Sequence, residues 1–424
     1  MAASGNNVSG ASRPGGVCAG GFSVSGASRP GGVCAGGFSV SGASRPGGGK
    51  TVDILVIGGG LAGWRAAEAA VAAGCSVTLV ANGVGNSPHI HALNCPVLEG
   101  DSAARMRDDT LSSGHGTNDA SLVQVLCEGA VALKDEFAFD RNPDGSYKTI
   151  QPLGSSIPRC VSIDHAIGAF ALAKCKRNAG DQIHLVDGRV TSLARLAPGF
   201  SANLESGETL FARAVVIATG GWCGKYEFST NPSYLQGDGI ALAQSLGAAV
   251  RDMDAVQYEP TVRLEGPRRG VPVITTLLYE GAKIRNDVGE EFLPDARLNK
   301  DELSKAIFAE MERTNAPGVW YDLAEVSEAS LVRCNMSLDE RRIHIAPAPH
   351  TSLGGVVIDS CCRVLDGSGT PIPGLFAAGE VTGGLHGRNR LGGNAGTEVL
   401  VFGRIAGERA TAYIKDCQHG ATSV

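Results

Sequence analysis

Residues 51–73 read TVDILVIGGGLAGWRAAEAAVAA, and this stretch decides the fold class. Residues 52–57 are a short apolar run of strand type. Gly58, Gly60 and Gly63 follow at GxGxxG spacing, and an alanine-rich helical run comes next. In that setting the glycines permit a tight turn, the close approach of a pyrophosphate, and tight packing of helix on strand. A GxGxxG alone is a weak signal; inside a strand–turn–helix it predicts an α/β nucleotide-binding unit. The next predicted strand, residues 76–80, should end in an acid that holds a ribose. It ends instead in Ala81-Asn82, so that anchor is either missing or replaced by Asn82.

A second stretch lies near the other end of the chain, at residues 374–408: GLFAAGEVTGGLHGRNRLGGNAGTEVLVFGRIAGE. Its first apolar run is a strand that delivers Glu380 to a strand's C-terminal end, where open α/β sheets bind ligands. The cations Arg388 and Arg390 follow in a glycine-rich loop, and Gly392 to Gly396 lead into a helix-period run. Small residues such as Ala395 and Gly396 at a helix start let a ligand approach the free N–H groups, which favour an electron-rich or anionic atom. The plainer reading, a glycine-rich strand-to-helix connection, stands beside this one.

Taken together, GGGLAG, ATGG (218–221), GDG (237–239), HTSLGG (350–355) and AAGEVTGGLHGRNRLGGNAG resemble the flavoprotein family of fumarate reductase, succinate dehydrogenase and L-aspartate oxidase. The resemblance spans about residues 51–412 with its elements in the family's order. It implies an α/β fold: a doubly wound, Rossmann-type FAD-binding domain with an inserted smaller α+β capping domain. The expected boundaries are 51–252 and 348–424 for the FAD-binding domain and 253–347 for the cap, after a disordered repeat leader at 1–50. FAD is the implied cofactor, with the carboxylate of Glu380 suited to its polyol and the helix start at Ala395-Gly396 suited to a flavin carbonyl.

Length and charge fit that picture. The 424 residues can hold two cores, and 37 basic against 43 acidic residues give no sign of a nucleic-acid partner. The first 50 residues carry four cations and no acid, so the body is mildly acidic, at −10 once those four are set aside from the chain's −6. They hold a perfect sixteen-residue repeat, at 8–23 and 24–39, too rich in Gly, Ser, Ala and Pro to bury a core. The twelve cysteines show no CxxC pair and no zinc-like spacing, which points to free thiols and to neither a metal nor an iron–sulfur cluster. No apolar run is long enough to span a bilayer. A cytoplasmic enzyme is expected, or an organellar one if the acid-free leader is a transit segment. The chain also stops soon after the last FAD-side helix, which argues against assembly into a respiratory complex.

Between the two ends, four positions have more than one reading. His89, in GVGNSPHIHALN, aligns with the histidine that bonds the flavin in membrane-bound relatives. It is read as a covalent link, as a non-covalent lining residue, or as a solvent-facing loop histidine, with non-covalent FAD the leading expectation. Asn94 stands opposite the family's glutamine. Arg159, in SSIPRC, is either a structural ion-pair partner or a flavin-loop residue. Asp238, between two glycines, resembles an FAD-contacting aspartate and is also a plain helix cap.

The resemblance also assigns the substrate groups. His350 and Arg390 match the histidine and arginine that hold one carboxylate, and a planar guanidinium fork suits that group. The other end departs from the family. Relatives have a histidine where Glu259 stands in QYEPT, and their Thr-Glu pair and downstream arginine fall on Ile274-Thr275 and Leu278. A carboxylate at 259 would repel a second substrate carboxylate. The family's proton-donating arginine aligns with Lys300, which releases a proton more readily; Arg297 and Tyr279 are the substitutes. The leading expectation is an FAD-dependent oxidoreductase moving hydride to or from a C–C bond alpha to a carboxylate, with an electron donor or acceptor the chain does not encode. A true fumarate reductase, succinate dehydrogenase or L-aspartate oxidase, and a catalytically silent flavin-binding protein, are the alternatives.

Overall fold

The computed structural model describes residues 51–152, 154–293, 298–334 and 336–421, so the repeat leader and Arg297 lie outside the described residues. Strand β1 (Thr51–Ile57), helix α1 (Leu61–Ala72) and strand β2 (Val77–Ala81) open the fold, followed by helices α2 (Ala103–Ser113), α3 (Ala120–Glu136) and α4 (Ile167–Ala179). Then come strands β3 (Ile183–Asp187), β4 (Val190–Leu196), β5 (Gly199–Leu204) and β6 (Thr209–Ile217), and helix α5 (Asp238–Ser245). Strands β7 (Val256–Arg263) and β8 (Lys283–Arg285), helix α6 (Lys300–Thr314), and strands β9 (Val319–Asp322) and β10 (Arg342–Ser352) form the next block. Strands β11 (Arg363–Leu365) and β12 (Pro371–Ala377) lead to the long helix α7 (Asn394–Ala421).

The first sheet runs β11-β12-β6-β1-β2-β3 and is parallel from β12 to β3, as a doubly wound α/β fold requires. Ile54 to Ile57 are buried on both pleats, the continuous apolar run of a strand covered on both faces. The β4–β5 hairpin joins through β5, antiparallel to β6. Strands β3 and β4 are separated at Gly188, which has φ +146°. Helix α3 is capped by Asp119, whose carboxylate accepts from the Ser121 and Leu122 amides, and its face of Leu122, Val123, Leu126, Ala130 and Leu133 is buried. Helix α7 lies against α1 because both are small there. A Cβ on Gly407 would stand 2.2 Å from the Ala66 carbonyl oxygen.

The second sheet, β7-β10-β9-β8, is antiparallel, and α6 packs on β7 and β10. It has its own apolar cluster, including Leu277, Leu303, Ile307, Tyr321 and Ile345, separate from the cluster of the first sheet. Strand β10 is the seam. Most of it pairs within the second sheet, yet its last residue, Ser352, donates from its amide (2.9 Å) and hydroxyl (3.0 Å) to Glu380 beyond β12 of the first sheet. Among the described residues, no helix is long and apolar enough to cross a membrane.

Gly63 tests the tightest joint. A Cβ there would lie 2.0 Å from the Gly58 carbonyl oxygen. Gly63→Ala is therefore expected to cost about 1–3 kcal/mol or more. Urea denaturation reads the loss; an unchanged midpoint would mean the turn relaxes freely.

Candidate active site

The nucleotide end is built from strand ends with no room for side chains. Gly58 sits at φ +122°, and a Cβ there would lie 2.1 Å from the Ala218 carbonyl oxygen at the end of β6. Only a residue without Cβ holds that conformation at that approach. Gly60 caps α1, and the first helical amide, on Leu61, donates to Ser87 Oγ at 2.7 Å. Asn82 is exposed directly after β2, beside this turn. In the ATGG loop and directly after it, Thr219 Oγ1 and Trp222 Nε1 are buried polar atoms with no partner among the described residues. A buried polar atom without a partner calls for an explanation, and a bound polar ligand is one.

Other sequence-selected residues fall around this cradle. His89 is exposed at the end of a short 3₁₀ turn, Ser87–His89, in the segment that Ser87 ties to α1. Asp238 is the first helical residue of α5, not its cap; Gly237 occupies the cap position, and the Asp238 carboxylate pairs with Arg189 at 2.6 Å. The capping reading of Asp238 is thereby corrected, because a left-handed glycine supplies the turn. Ala395 and Gly396 lie in the first turn of α7, and a Cβ on Gly396 would come within 2.9 Å of Ile90 and Leu93. Asn94 is buried and donates to the Gly392 carbonyl and to Asn394 Oδ1, both at 2.7 Å. The Cys160 thiol bonds its other side, with burial pushing that thiol up to about 12. Arg159 is fully buried between Asp101 and Asp109. It is an ion-pair residue that fixes the segment after Asn94, not a ligand-facing cation.

The opposite end collects four groups. In the β7–β10 pairing Gln257 faces Thr351 while Tyr258 faces Pro349, so His350 is the extra residue of a β-bulge. Its Nδ1 meets Thr230 Oγ1 at 2.8 Å. Burial, then the nearby Lys300 and Arg390 charges, holds the imidazole well below its usual range, so it is neutral at pH 7. Arg390 is only 8% exposed. One Nη bonds Thr351 Oγ1 at 3.4 Å, Nε has no partner, and among the described residues it makes no salt bridge. Burial pulls this guanidinium down, against the opposing pull of Glu380, Glu398 and Glu259. Gln257 fixes the loop by donating to the Arg390 carbonyl at 3.0 Å and to Asn389 Oδ1 at 2.6 Å. The loop's other cation, Arg388, is turned outward and pairs with Asp254.

Glu259 and Lys300 form a salt bridge, the carboxylate 6% and the ammonium 23% exposed. Glu259 is thus not the bare repelling charge the sequence suggested. Glu380, on the border of the two halves, is pushed up by burial, while the Ser352 amide and hydroxyl act against that rise. Leu278 is buried in the 3₁₀ turn Thr275–Glu280, and Tyr279 is exposed. Sequence reasoning passed over Thr230 and the buried His386–Glu398 contact at 2.9 Å. Both were in view, in TNPSYL and in GLHGRNR, yet neither type nor spacing names a hydrogen-bond partner 120 or 12 residues away. Among the described residues, no cluster of His, Cys, Asp and Glu could hold a metal ion.

Residues 53–395 match the family model described as an FAD binding domain. The chain is 27% identical to a fumarate reductase (cytochrome) of Shewanella frigidimarina, over 86% of this chain and 78% of that protein. It is 30% identical to an L-aspartate oxidase of Caulobacter vibrioides, over 84% of this chain and 76% of that protein. Its structure is similar to the open conformation of a flavocytochrome c3 fumarate reductase, with a TM-score of 0.70 at 26% identity, covering 86% and 79% of the two chains.

Arg159 separates scaffold from site. Arg159→Leu leaves two acids uncompensated, so stability should fall by about 3–5 kcal/mol in chemical denaturation, with the visible spectrum of the flavin-loaded protein unaltered. Native stability with a lost or altered spectrum would return Arg159 to the flavin.

Proposed function

The chain belongs to the FAD binding domain family, as an FAD-dependent oxidoreductase of the fumarate reductase and L-aspartate oxidase kind, and from that premise we propose that it acts on a C–C bond alpha to a substrate carboxylate. The cofactor fits the cradle. The glycine turn puts no side chain before α1, and the buried Thr219 Oγ1 and Trp222 Nε1 lack partners among the described residues. FAD would be held by Gly58, Gly60 and Gly63, by Glu380, by the first turn of α7 at Ala395 and Gly396, and by Asn82 and Asp238 at the margins. Bound FAD supplies hydride transfer. In this reading it is bound without a covalent link, and His89 lines the site.

One observation carries the substrate assignment: Arg390 is a buried cation with no salt bridge among the described residues and an unpartnered Nε. A buried charge that lacks a counter-charge costs several kcal/mol, and a bound carboxylate would remove that cost. Neutral His350 beside it donates a hydrogen bond to the same carboxylate and polarises the adjoining bond. Lys300 lies at the far side of the same site, near enough for its charge to depress the His350 titration. Its ammonium would pass a proton to the carbon next to the one that takes hydride, or recover it in the reverse direction. Glu259 holds Lys300 through their salt bridge. The Glu259–Lys300 pair is neutral overall, which favours a substrate with one carboxylate and an uncharged or hydroxylated far end. A second reading, a dicarboxylate, is favoured by the same pair if Lys300 turns from Glu259 to a second carboxylate. We place residues 253–347, with the second sheet, as the cap over this site.

Re-oxidation of reduced protein by fumarate, set against a panel of single-carboxylate enoates, separates the two readings. Faster re-oxidation by the single acids supports the first, and by fumarate the second. Arg390→Ala should raise KM about ten- to hundredfold, the loss of a charged hydrogen-bonding partner. Lys300→Met should lower kcat about 10²–10⁴-fold with the flavin spectrum intact. Normal turnover in either variant contradicts the role given to that residue. Acid precipitation should leave the yellow colour in the supernatant; colour in the pellet would mean a covalent bond, with His89 first to test.

A further inference from the structure

The short segment Ser229–Asn231 grips the bulge that carries His350. The Pro349 carbonyl accepts from Ser229 Oγ and from the Thr230 amide, both at 3.2 Å. Those two donors occupy the two lone pairs a carbonyl offers. Asn231 is oriented without ambiguity: its Nδ2 lies 2.9 Å from the His350 carbonyl oxygen, which can only accept, and its Oδ1 accepts from Asn86 at 2.7 Å. The same Nδ2 reaches Thr230 Oγ1 at 3.3 Å, so the Thr230 oxygen is an acceptor toward Asn231. Its hydroxyl proton must go elsewhere. The Pro349 oxygen, at 3.3 Å, is already served, and His350 Nδ1 is closer, at 2.8 Å.

We propose that Thr230 is a positioning residue that donates its hydroxyl proton to His350 Nδ1 and so holds the imidazole in the Nε2–H form. The donor chain runs from Asn86 through the Asn231 amide and the Thr230 hydroxyl to the ring. Among the described residues His350 Nε2 has no partner, so its N–H is left for a ligand. A neutral histidine of the other tautomer would turn a lone pair toward an incoming carboxylate and repel it. This inference rests on the carboxylate reading for its consequence but not for its geometry. Asn86 also lies in the loop that carries Ser87, the partner of the first α1 amide. The chain therefore ties the histidine to the nucleotide turn.

Histidine-labelled, FAD-loaded protein tests it by long-range ¹H–¹⁵N correlation. The chain has nine histidines, so His350→Gln assigns the signal. Wild type and Thr230→Ser should both give an unprotonated Nδ1 and a protonated Nε2. Thr230→Val should lose that single form and raise KM for the carboxylate substrate about three- to tenfold, with the flavin spectrum and denaturation midpoint unchanged. A protonated Nδ1 in wild type, or a Thr230→Val spectrum identical to wild type, overturns the inference. The tautomer is read without substrate, so it stands or falls apart from the carboxylate reading. That reading fails instead if Arg390→Ala binds carboxylates as wild type does.

Discussion

Two hydrogen-bonding residues at the end of one strand join the halves of this molecule. Thr351 receives Arg390, and Ser352 donates twice to Glu380, while the rest of β10 belongs to the second sheet. The catalytic proposal depends on this seam. His350 comes from the second sheet, Arg390 from the loop before α7, and the glycine turn from β1. In that proposal they share one cofactor because β10 reaches back to the first sheet and Gln257 of β7 holds the Arg390 loop. The β-bulge serves the same site, since one extra residue within the β7–β10 pairing re-aims a side chain there.

The charges around the seam obey one logic. Burial makes every ion there costly unless it is matched. Lys300 is matched by Glu259, Arg159 by two aspartates, and His350 avoids the problem by staying neutral. Arg390 is the exception, with acids near enough to be felt but none in a salt bridge among the described residues. Among the described residues the other buried arginines are paired and this one is not, the kind of local mismatch a site proposed for binding would carry.

Much of this was legible in the sequence, and the reason is locality. The strand–glycine–helix unit is written within a few turns of chain, where spacing and residue type decide. His350 and Arg390 could be named because the family resemblance supplied their roles. What the sequence hid is long-range. Glu259 and Lys300 are 41 positions apart, on a strand and a helix, and no pattern announces that one neutralises the other. Arg159 had two open readings until Asp101 and Asp109 were seen around it. Thr230 matters through a hydroxyl direction, which only the full set of donors and acceptors around Pro349 and His350 can decide.

The central claim is that the glycine turn and the Arg390 loop face one another across a single flavin, with a carboxylate between Arg390 and His350. A crystal structure of the protein with FAD and an unreactive single-carboxylate ligand tests it most directly. The account predicts the pyrophosphate at Gly58–Gly63 and the ligand's carboxylate bonded to both Arg390 and His350 Nε2, against the flavin ring. A flavin ring remote from Arg390, or a carboxylate bound elsewhere while Arg390 stays unpaired, would contradict it.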